Sequence, residues 1–235
     1  MSDDTIRTAN PGKQLVRTVD GTDYLRIPVK THLITKDDNM DAVVLQYAKG
    51  GMQPGDVLFI SEKAVACTQN RAIPMEDIKP RPLAVFLSRH VTKTPAGIGL
   101  GIPETMEMAL QECGTLRVLF AACCSVIGKL LGQRGWFYLA AGPKARGIDG
   151  PTDGTIPPYD HYVVLTPANP TGTARRLAKT LGHPVAIVDI NDLGANILGC
   201  SESPVSQDTL AKILGDNPLG QGTECTPMGI LRRGE

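Results

Sequence analysis

Val185 to Gly199 reads VAIVDINDLGANILG, and this stretch sets the terms for the rest of the chain. Val185-Ala186-Ile187-Val188 is an uninterrupted apolar run of the length and composition of a buried strand. It empties into Asp189, Asn191 and Asp192, with Gly194 just beyond. Three oxygen-bearing side chains within four residues at a strand end suit a hard cation such as magnesium. In an extended strand Asp189 and Asn191 share a side, and Asp192 joins them only if the chain turns near Gly194. The plain alternative is a turn in which an Asx side chain bonds the backbone. A second carboxylate, Asp149, sits in the turn-rich segment Arg146-Gly147-Ile148-Asp149-Gly150-Pro151 and carries the same alternative.

The remaining chain supplies strands and helices in mixed order. Tyr24–Val29 and Val57–Ile60 read as strands, as do Trp136–Ala140, His161–Leu165 and Met228–Arg232. Asp38–Tyr47 carries Met40, Val43, Val44 and Tyr47 at helical spacing, with Lys49-Gly50-Gly51 as its stop. Helices are also expected at Leu83–His90, Pro103–Cys113, Thr171–Leu181 and Gln207–Leu214. Leu116–Leu131 is expected to be a core helix, and Ala64–Thr68 to run extended or turn back. The 141–160 stretch is a long loop. No clean βαβ alternation emerges, so the expected class is α+β. Residues 1–22 are expected to form a flexible leader, and 23–235 one domain of two interwoven subdomains.

Composition narrows the function. Lys and Arg number 24 and Asp and Glu 24, so the formal charge is zero and nothing draws the chain toward nucleic acid. The six cysteines form no C-x-x-C pair, which suits free thiols in a reducing cytoplasm. Leu116–Leu131 is short for a membrane span and contains Arg117 and Lys129, and the N-terminus is polar, so no membrane partner is expected. No zinc spacing or Ser/His/Asp pattern is present. The GIGLG loop, Gly97–Gly101, is neither a Walker A nor a dinucleotide motif, and it reads as a tight turn or as an anion loop ahead of a helix. Lys30, Lys63, Arg71 and Arg146 are the basic side chains placed near strand ends or turns, where phosphate contact and solvated surface are both open readings.

In order, GDVLFISEKAV (55–65), KARGIDGPTDGTIPP (144–158), VAIVDINDLGANILG (185–199) and GDNPLGQGTECTP (215–227) resemble the coenzyme F-420 γ-glutamyl ligase family, and more closely its bacterial ligase-like branch. The likeness spans roughly Tyr24–Arg232. It implies the α+β fold of that family with a two-domain protomer, an intertwined homodimer, and amide formation driven by a nucleoside triphosphate, GTP or ATP, with Mg2+ or Mn2+. An acceptor carboxylate is phosphorylated, and the amine of an amino acid such as glutamate attacks the acyl phosphate. Position by position, the resemblance implies metal ligation by Asp149, Asn191 and Asp192, with Asp189 as a replacement ligand and Glu224 in the C-terminal loop. Asp149 and Asp192 take the catalytic part. Nucleotide contacts fall on Lys30, Thr31, His32 and Leu33, on Glu62 and Lys63, on Thr152, and on Gly220, Gln221, Gly222 and Thr223. A family lysine falls on Cys67, with Lys63 four residues earlier, and the family's Asp-Thr pair is Asn191-Asp192 here. Ser88–Tyr138 has no counterpart in the authentic ligases.

The expectation is therefore a cytoplasmic ligase acting on a small carboxylate and an amino acid. Two rivals stand beside it. One is a nucleotide- or metal-binding protein of the same fold without turnover; the other is a kinase or phosphatase built on the same site.

Overall fold

The structure, a computed structural model, describes residues 8–91, 98–133, 135–152, 154–191, 194–220 and 222–234. In chain order the elements are β1 (Val16–Val19), β2 (Thr22–Val29), α1 (Met40–Tyr47), β3 (Val57–Ser61), α2 (Glu62–Thr68), β4 (Ala72–Pro74), α3 (Pro82–Ser88), α4 (Pro103–Cys113), α5 (Thr115–Leu130), α6 (Trp136–Ala141), α7 (Pro143–Arg146), β5 (Tyr162–Val164), α8 (Pro170–Leu181), β6 (Val185–Asn191), β7 (Gly194–Cys200), α9 (Gln207–Leu214) and β8 (Met228–Arg233). The class is α+β, as the mixed element order implied. The chain divides into two compact units, one built from Met1–Asn70 with Pro167–Glu235 and the other from Arg71–Thr166.

The first unit is a six-stranded sheet in the order β1-β2-β8-β3-β6-β7. Only β3 and β6 run parallel; the other neighbours are antiparallel. Val57–Ile60 and Val185–Val188 are fully buried, which is why both read as continuous apolar runs rather than alternating ones. Phe59, Ala186, Val188 and Leu231 pack with Leu210, Ile213 and Leu214 of α9. Leu58, Ile60 and Ile187 alternate with them and face the other side. There α8 packs against β6 and β7, with α1 beside it.

Caps fix these helices. Asn39, Asn169 and Ser206 each accept a backbone N–H from the first turn of α1, α8 and α9. Gly182 closes α8 in the left-handed region at φ 80°. Arg26, wholly buried on β2, donates to the carbonyls of Ile213 at 2.9 Å and Gln14 at 2.6 Å and pairs with Asp216. Arg17 reaches Asp216 at 2.8 Å. A buried guanidinium persists here because carbonyls and a carboxylate surround it.

The second unit packs α3 to α7 around Leu100, Met106, Ala109, Leu110, Val118 and Ala121, beside the short β4–β5 pair. Inside it, Arg81 donates to the buried carboxylate of Glu107 at 2.8 Å, and Arg71 pairs with Glu112 at 2.8 Å.

Five expectations are corrected. Val16–Val19, inside the expected leader, pairs with β2 as the edge strand, and Asn10 anchors to the Pro218 carbonyl at 3.0 Å. Residues 64–68 are helical, because Ala64–Cys67 bury against β3 and β6. Trp136–Ala140 is helical rather than extended: Gly135 and Gly142, both at positive φ, bracket it, and it packs on α5. Residues 143–146 of the expected long loop form α7. Finally, α5 is no core helix, since only Val118, Ala121 and Gly128 are buried. The strand β7 was not anticipated at all.

Candidate functional site

The carboxyl ends of the parallel pair β3 and β6 lie side by side. Ser61, the last residue of β3, is in register with Val188, so Glu62 at the start of α2 and Asp189 on β6 are the residues that follow. Open sheets bind ligands outside the carboxyl ends of their parallel strands, where loops leave the sheet and side chains can converge. Two further segments reach the same end. β8 lies between β2 and β3, and its lead-in is clamped from both sides. The Thr31 N–H donates to the Cys225 carbonyl at 2.9 Å, and the Ser61 N–H to the Pro227 carbonyl at 2.8 Å. One end of the first unit therefore gathers Lys30–Leu33, Glu62–Lys63, Asp189 and the end of the 220–224 loop, which sequence alone left scattered over nearly 200 residues.

Each candidate has a specific setting. Lys30 and His32 are exposed, Leu33 is half-buried and Thr31 is buried, its hydroxyl donating to the His32 carbonyl at 2.7 Å. Both ring nitrogens of His32 are engaged, Nδ1 with the Tyr47 hydroxyl and Nε2 with Asp38, each at 2.8 Å. The Thr35 backbone N–H, more than anything else, holds the Asp38 carboxyl below its ordinary range; burial opposes this and His32 adds to it. His32 thus serves as a brace between the loop and α1.

Glu62 and Lys63 open α2, half-buried, and Cys67 lies buried one turn further along. Ala186, Val188 and Ile190 face the α9 side, so Asp189 and Asn191 project together on the other. They pair across the β6–β7 hairpin with Asn196 and Gly194. In the C-terminal loop Glu224 folds back on its own glycines. Its carboxylate accepts the Gly222 N–H at 2.8 Å and sits where any Cβ on Gly220 would have to go, 2.9 Å away. Asn217, buried at φ 51°, donates to the Gly220 carbonyl at 3.0 Å and shapes the loop from below. Sequence reading missed that role, and the Asn-Pro step at 217–218 is the signal that marks it.

The remaining candidates belong to the second unit. Asp149 exchanges two backbone hydrogen bonds of 2.9 Å with Val164. The Thr152 hydroxyl donates to the Gly150 carbonyl at 3.2 Å. Arg71 is committed to Glu112 and the Thr166 carbonyl, so it is a structural cation there rather than a free phosphate contact. Of the GIGLG segment, Ile98–Gly101 is a tight turn closed by the Gly101 N–H on the Ile98 carbonyl at 3.0 Å. Asp192 and Gln221 lie outside the described residues.

Among the described residues, no three His, Cys, Asp or Glu side chains gather at metal-binding spacing. What β6 offers is a carboxylate and an amide oxygen two residues apart on one face. That hard-oxygen donor pair fits Mg2+, which takes one or two protein carboxylates and fills its shell with phosphate oxygens and water.

No curated protein matches the chain. The family model described as F420-0:gamma-glutamyl ligase matches residues 28–192, more than two-thirds of the sequence. The matched span includes the 30–33 loop, Glu62–Lys63, Asp149 and Asp189–Asp192 and stops before the 220–224 loop. This chain is an enzyme, a ligase, and it belongs to the F420-0:gamma-glutamyl ligase family.

Proposed function

We propose that the enzyme is a cytoplasmic nucleotide- and Mg2+- or Mn2+-dependent ligase that joins an amino acid, with glutamate the first candidate, to a small carboxylate through an acyl phosphate. The observation that supports this reading is the convergence of Lys30–Leu33, Glu62–Lys63 and Asp189 at one sheet end, within the span matched to the family. The acceptor carboxylate attacks the γ-phosphorus of GTP or ATP, releasing the nucleoside diphosphate. The amine then attacks the acyl carbon, and phosphate leaves as the amide forms. Most of the catalysis in such a sequence is positioning and charge neutralisation. Lys63 and Lys30 carry the cations for the phosphates, and Thr31 with the glycine-rich loop sets the backbone around them. Asp189 and Asn191 would hold the metal, which when bound neutralises charge on the transferring phosphoryl group. Asp149 and Asp192 as metal ligands, Thr152 as a nucleotide contact and a homodimeric protomer rest on the family likeness alone.

Calorimetric titration with ATP and with GTP, each with and without Mg2+, tests the reading. Metal-dependent binding of either nucleotide, lost in Asp189→Ala, is the expected result. No binding of either at millimolar concentration overturns it.

One observation favours a second reading. Cys67, where the family carries a lysine, is buried, and a site short of that charge would bind without turnover. Nucleotide binding with no phosphate release under any combination of carboxylate and amine would select this reading. Phosphate release without an amine would select a kinase or phosphatase.

A further inference from the structure

The first unit holds a second concave surface, away from the sheet end that gathers Lys30, Glu62 and Asp189. It lies at the other end of β6, where α8 closes and β7 leaves the sheet. A cavity of about 670 Å3 opens there. Arg175, Ala178 and Lys179 line it from α8, Gly182 and His183 from the turn that follows, and Ser201 and Glu202 from the segment after β7. The volume falls within the range of small-molecule sites.

The backbone around the cavity is fixed. The Val185 N–H donates to the Ser201 hydroxyl at 2.9 Å, and the Ser201 N–H donates to the Val185 carbonyl at 2.9 Å. The Leu58 N–H holds the Pro184 carbonyl at 2.9 Å. α8 presses on β7 so closely that a Cβ on Gly199 would lie 2.4 Å from the Pro170–Thr171 backbone. Small residues keep the hollow open: a Cβ on Gly182 would meet nothing within 4 Å. The Ser201 hydroxyl, which also donates to the Glu202 carbonyl at 3.2 Å, contributes shape rather than a free donor.

Charge is the informative part. Arg26, Arg71, Arg81, Arg176 and Arg232 each pair with a carboxylate. Among the described residues, neither Arg175 nor Lys179 has a carboxylate at ion-pair distance, and Glu202 has no cation there, although all three line the one cavity. Arg175 and Lys179 stand one turn apart on α8, where like charges repel. The negative end of the helix dipole offsets this for Lys179, in the last turn, but not for Arg175. Two uncompensated cations and one uncompensated carboxylate match a ligand that carries two anionic groups and one cationic group. An α-amino dicarboxylate has that set. A phosphate or a plain dicarboxylate leaves Glu202 facing an anion, and an amino acid with a neutral side chain leaves a cation over.

We propose that this cavity is a second ligand site that takes an acidic α-amino acid of the glutamate type, with its two carboxylates on Arg175 and Lys179 and its ammonium on Glu202. Val185 and Asp189 are four residues apart on one extended strand, roughly 13 Å, so an amino acid held here stays clear of Asp189. The binding rests on the charge pattern alone. That the ligand is also the amino acid the enzyme joins, so that the site reads the supply of a substrate, rests on the ligase reading above.

Calorimetric titration of the full chain with L-glutamate, without nucleotide or metal, should show saturable binding. Arg175→Gln and Lys179→Gln should each weaken it about tenfold or more, the loss that follows removal of a charge-assisted contact. Glutarate, which lacks the ammonium, should bind wild type more weakly than L-glutamate does, and Glu202→Gln should erase that preference. All three side chains are exposed, so the variants should keep wild-type melting temperatures and wild-type Mg2+-nucleotide titrations. No saturable binding of L-glutamate overturns the proposal, as does an affinity unchanged in both Arg175→Gln and Lys179→Gln. Equal wild-type affinity for glutarate and L-glutamate overturns the role of Glu202. Inorganic phosphate bound more tightly than L-glutamate by the same side chains overturns the amino-acid assignment. A chain that binds L-glutamate here but binds no nucleotide would sink the ligase reading and leave this site standing.

Discussion

Asp56, with its side chain 1% exposed, takes both arms of the Arg232 guanidinium, Nε on Oδ1 at 2.9 Å and Nη2 on Oδ2 at 2.6 Å. The carboxylate also accepts the Gln53 N–H at 2.7 Å, so it fixes the turn before β3 as well as the end of β8. Planar two-point pairing of this kind is strong because both oxygens are satisfied at once. Asp56→Ala leaves a guanidinium 14% exposed without its partner. We expect it to lower the unfolding free energy by about 3–5 kcal/mol. The double variant Asp56→Ala/Arg232→Met should lose less than Asp56→Ala alone. Urea midpoints at pH 7 measure both, and an Asp56→Ala midpoint equal to wild type would remove the pair from the account of stability.

Phe59 on β3 stands opposite Gly229 on β8, and a Cβ on Gly229 would lie 2.3 Å from the ring. The glycine is there because the ring fills the space a side chain would need. Gly229→Ala is expected to cost about 1–3 kcal/mol by overpacking. Phe59→Leu opens the same space from the other side, so the two changes together should cost less than their sum. A thermal-denaturation cycle over the four proteins reads the coupling, and strict additivity would show that the two residues do not meet.

Glu107 titrates abnormally for a physical reason. Burial works to raise its pKa, but the Arg81 backbone N–H and guanidinium, with Gln111, outweigh it and hold the carboxyl below its ordinary 4.5. A carboxylate with a lowered folded pKa contributes stability that is complete above the unfolded value. That contribution is lost as pH falls through the folded value. The melting-temperature gap between wild type and Glu107→Gln should therefore be widest near pH 7 and narrow steadily below about pH 4.5. A gap constant from pH 7 to pH 3 would rule the ion pair out as its source.

The parts of the fold legible from sequence are those whose local signals agree with their burial. Val185–Val188 and Val57–Ile60 are apolar runs bounded by turns, α1 carries Met40, Val43, Val44 and Tyr47 at helical spacing, and α8 and α9 fall within a residue of the expected Thr171–Leu181 and Gln207–Leu214. What stayed hidden was decided at a distance. Val65 and Thr68 favour extended backbone, yet packing of Ala64–Cys67 on the sheet makes α2 helical. The aromatic run Trp136–Tyr138 favours a strand, but Gly135 and Gly142 isolate it and α5 supplies its partner. β7, with Gly194, Asn196 and Gly199, has little strand propensity and exists because β6 pairs with it. The candidate site was half legible. Glu62 and Asp189 could be named, but their adjacency needed the parallel β3–β6 register, and the approach of Thr31 needed β8 to insert between β2 and β3.

Lys63 and Cys67 stand one turn apart on the same face of α2. The two positions differ in what they can offer. Cys67 is 5% exposed, so its side chain belongs to the interior, while Lys63 is half-buried at the helix start beside the β3 terminus. A lysine there can lay its methylenes along the protein and carry its ammonium outward. If Lys63 supplies the phosphate charge proposed for it, Lys63→Met should weaken Mg2+-nucleotide binding about tenfold, roughly 1.4 kcal/mol. Lys63→Arg, which keeps the charge, should recover part of it. Cys67→Ser, which alters no charge, should leave affinity within a factor of about two on the same scale. Calorimetry on the three variants separates the possibilities, and unchanged affinity in Lys63→Met would move the phosphate contact to Lys30.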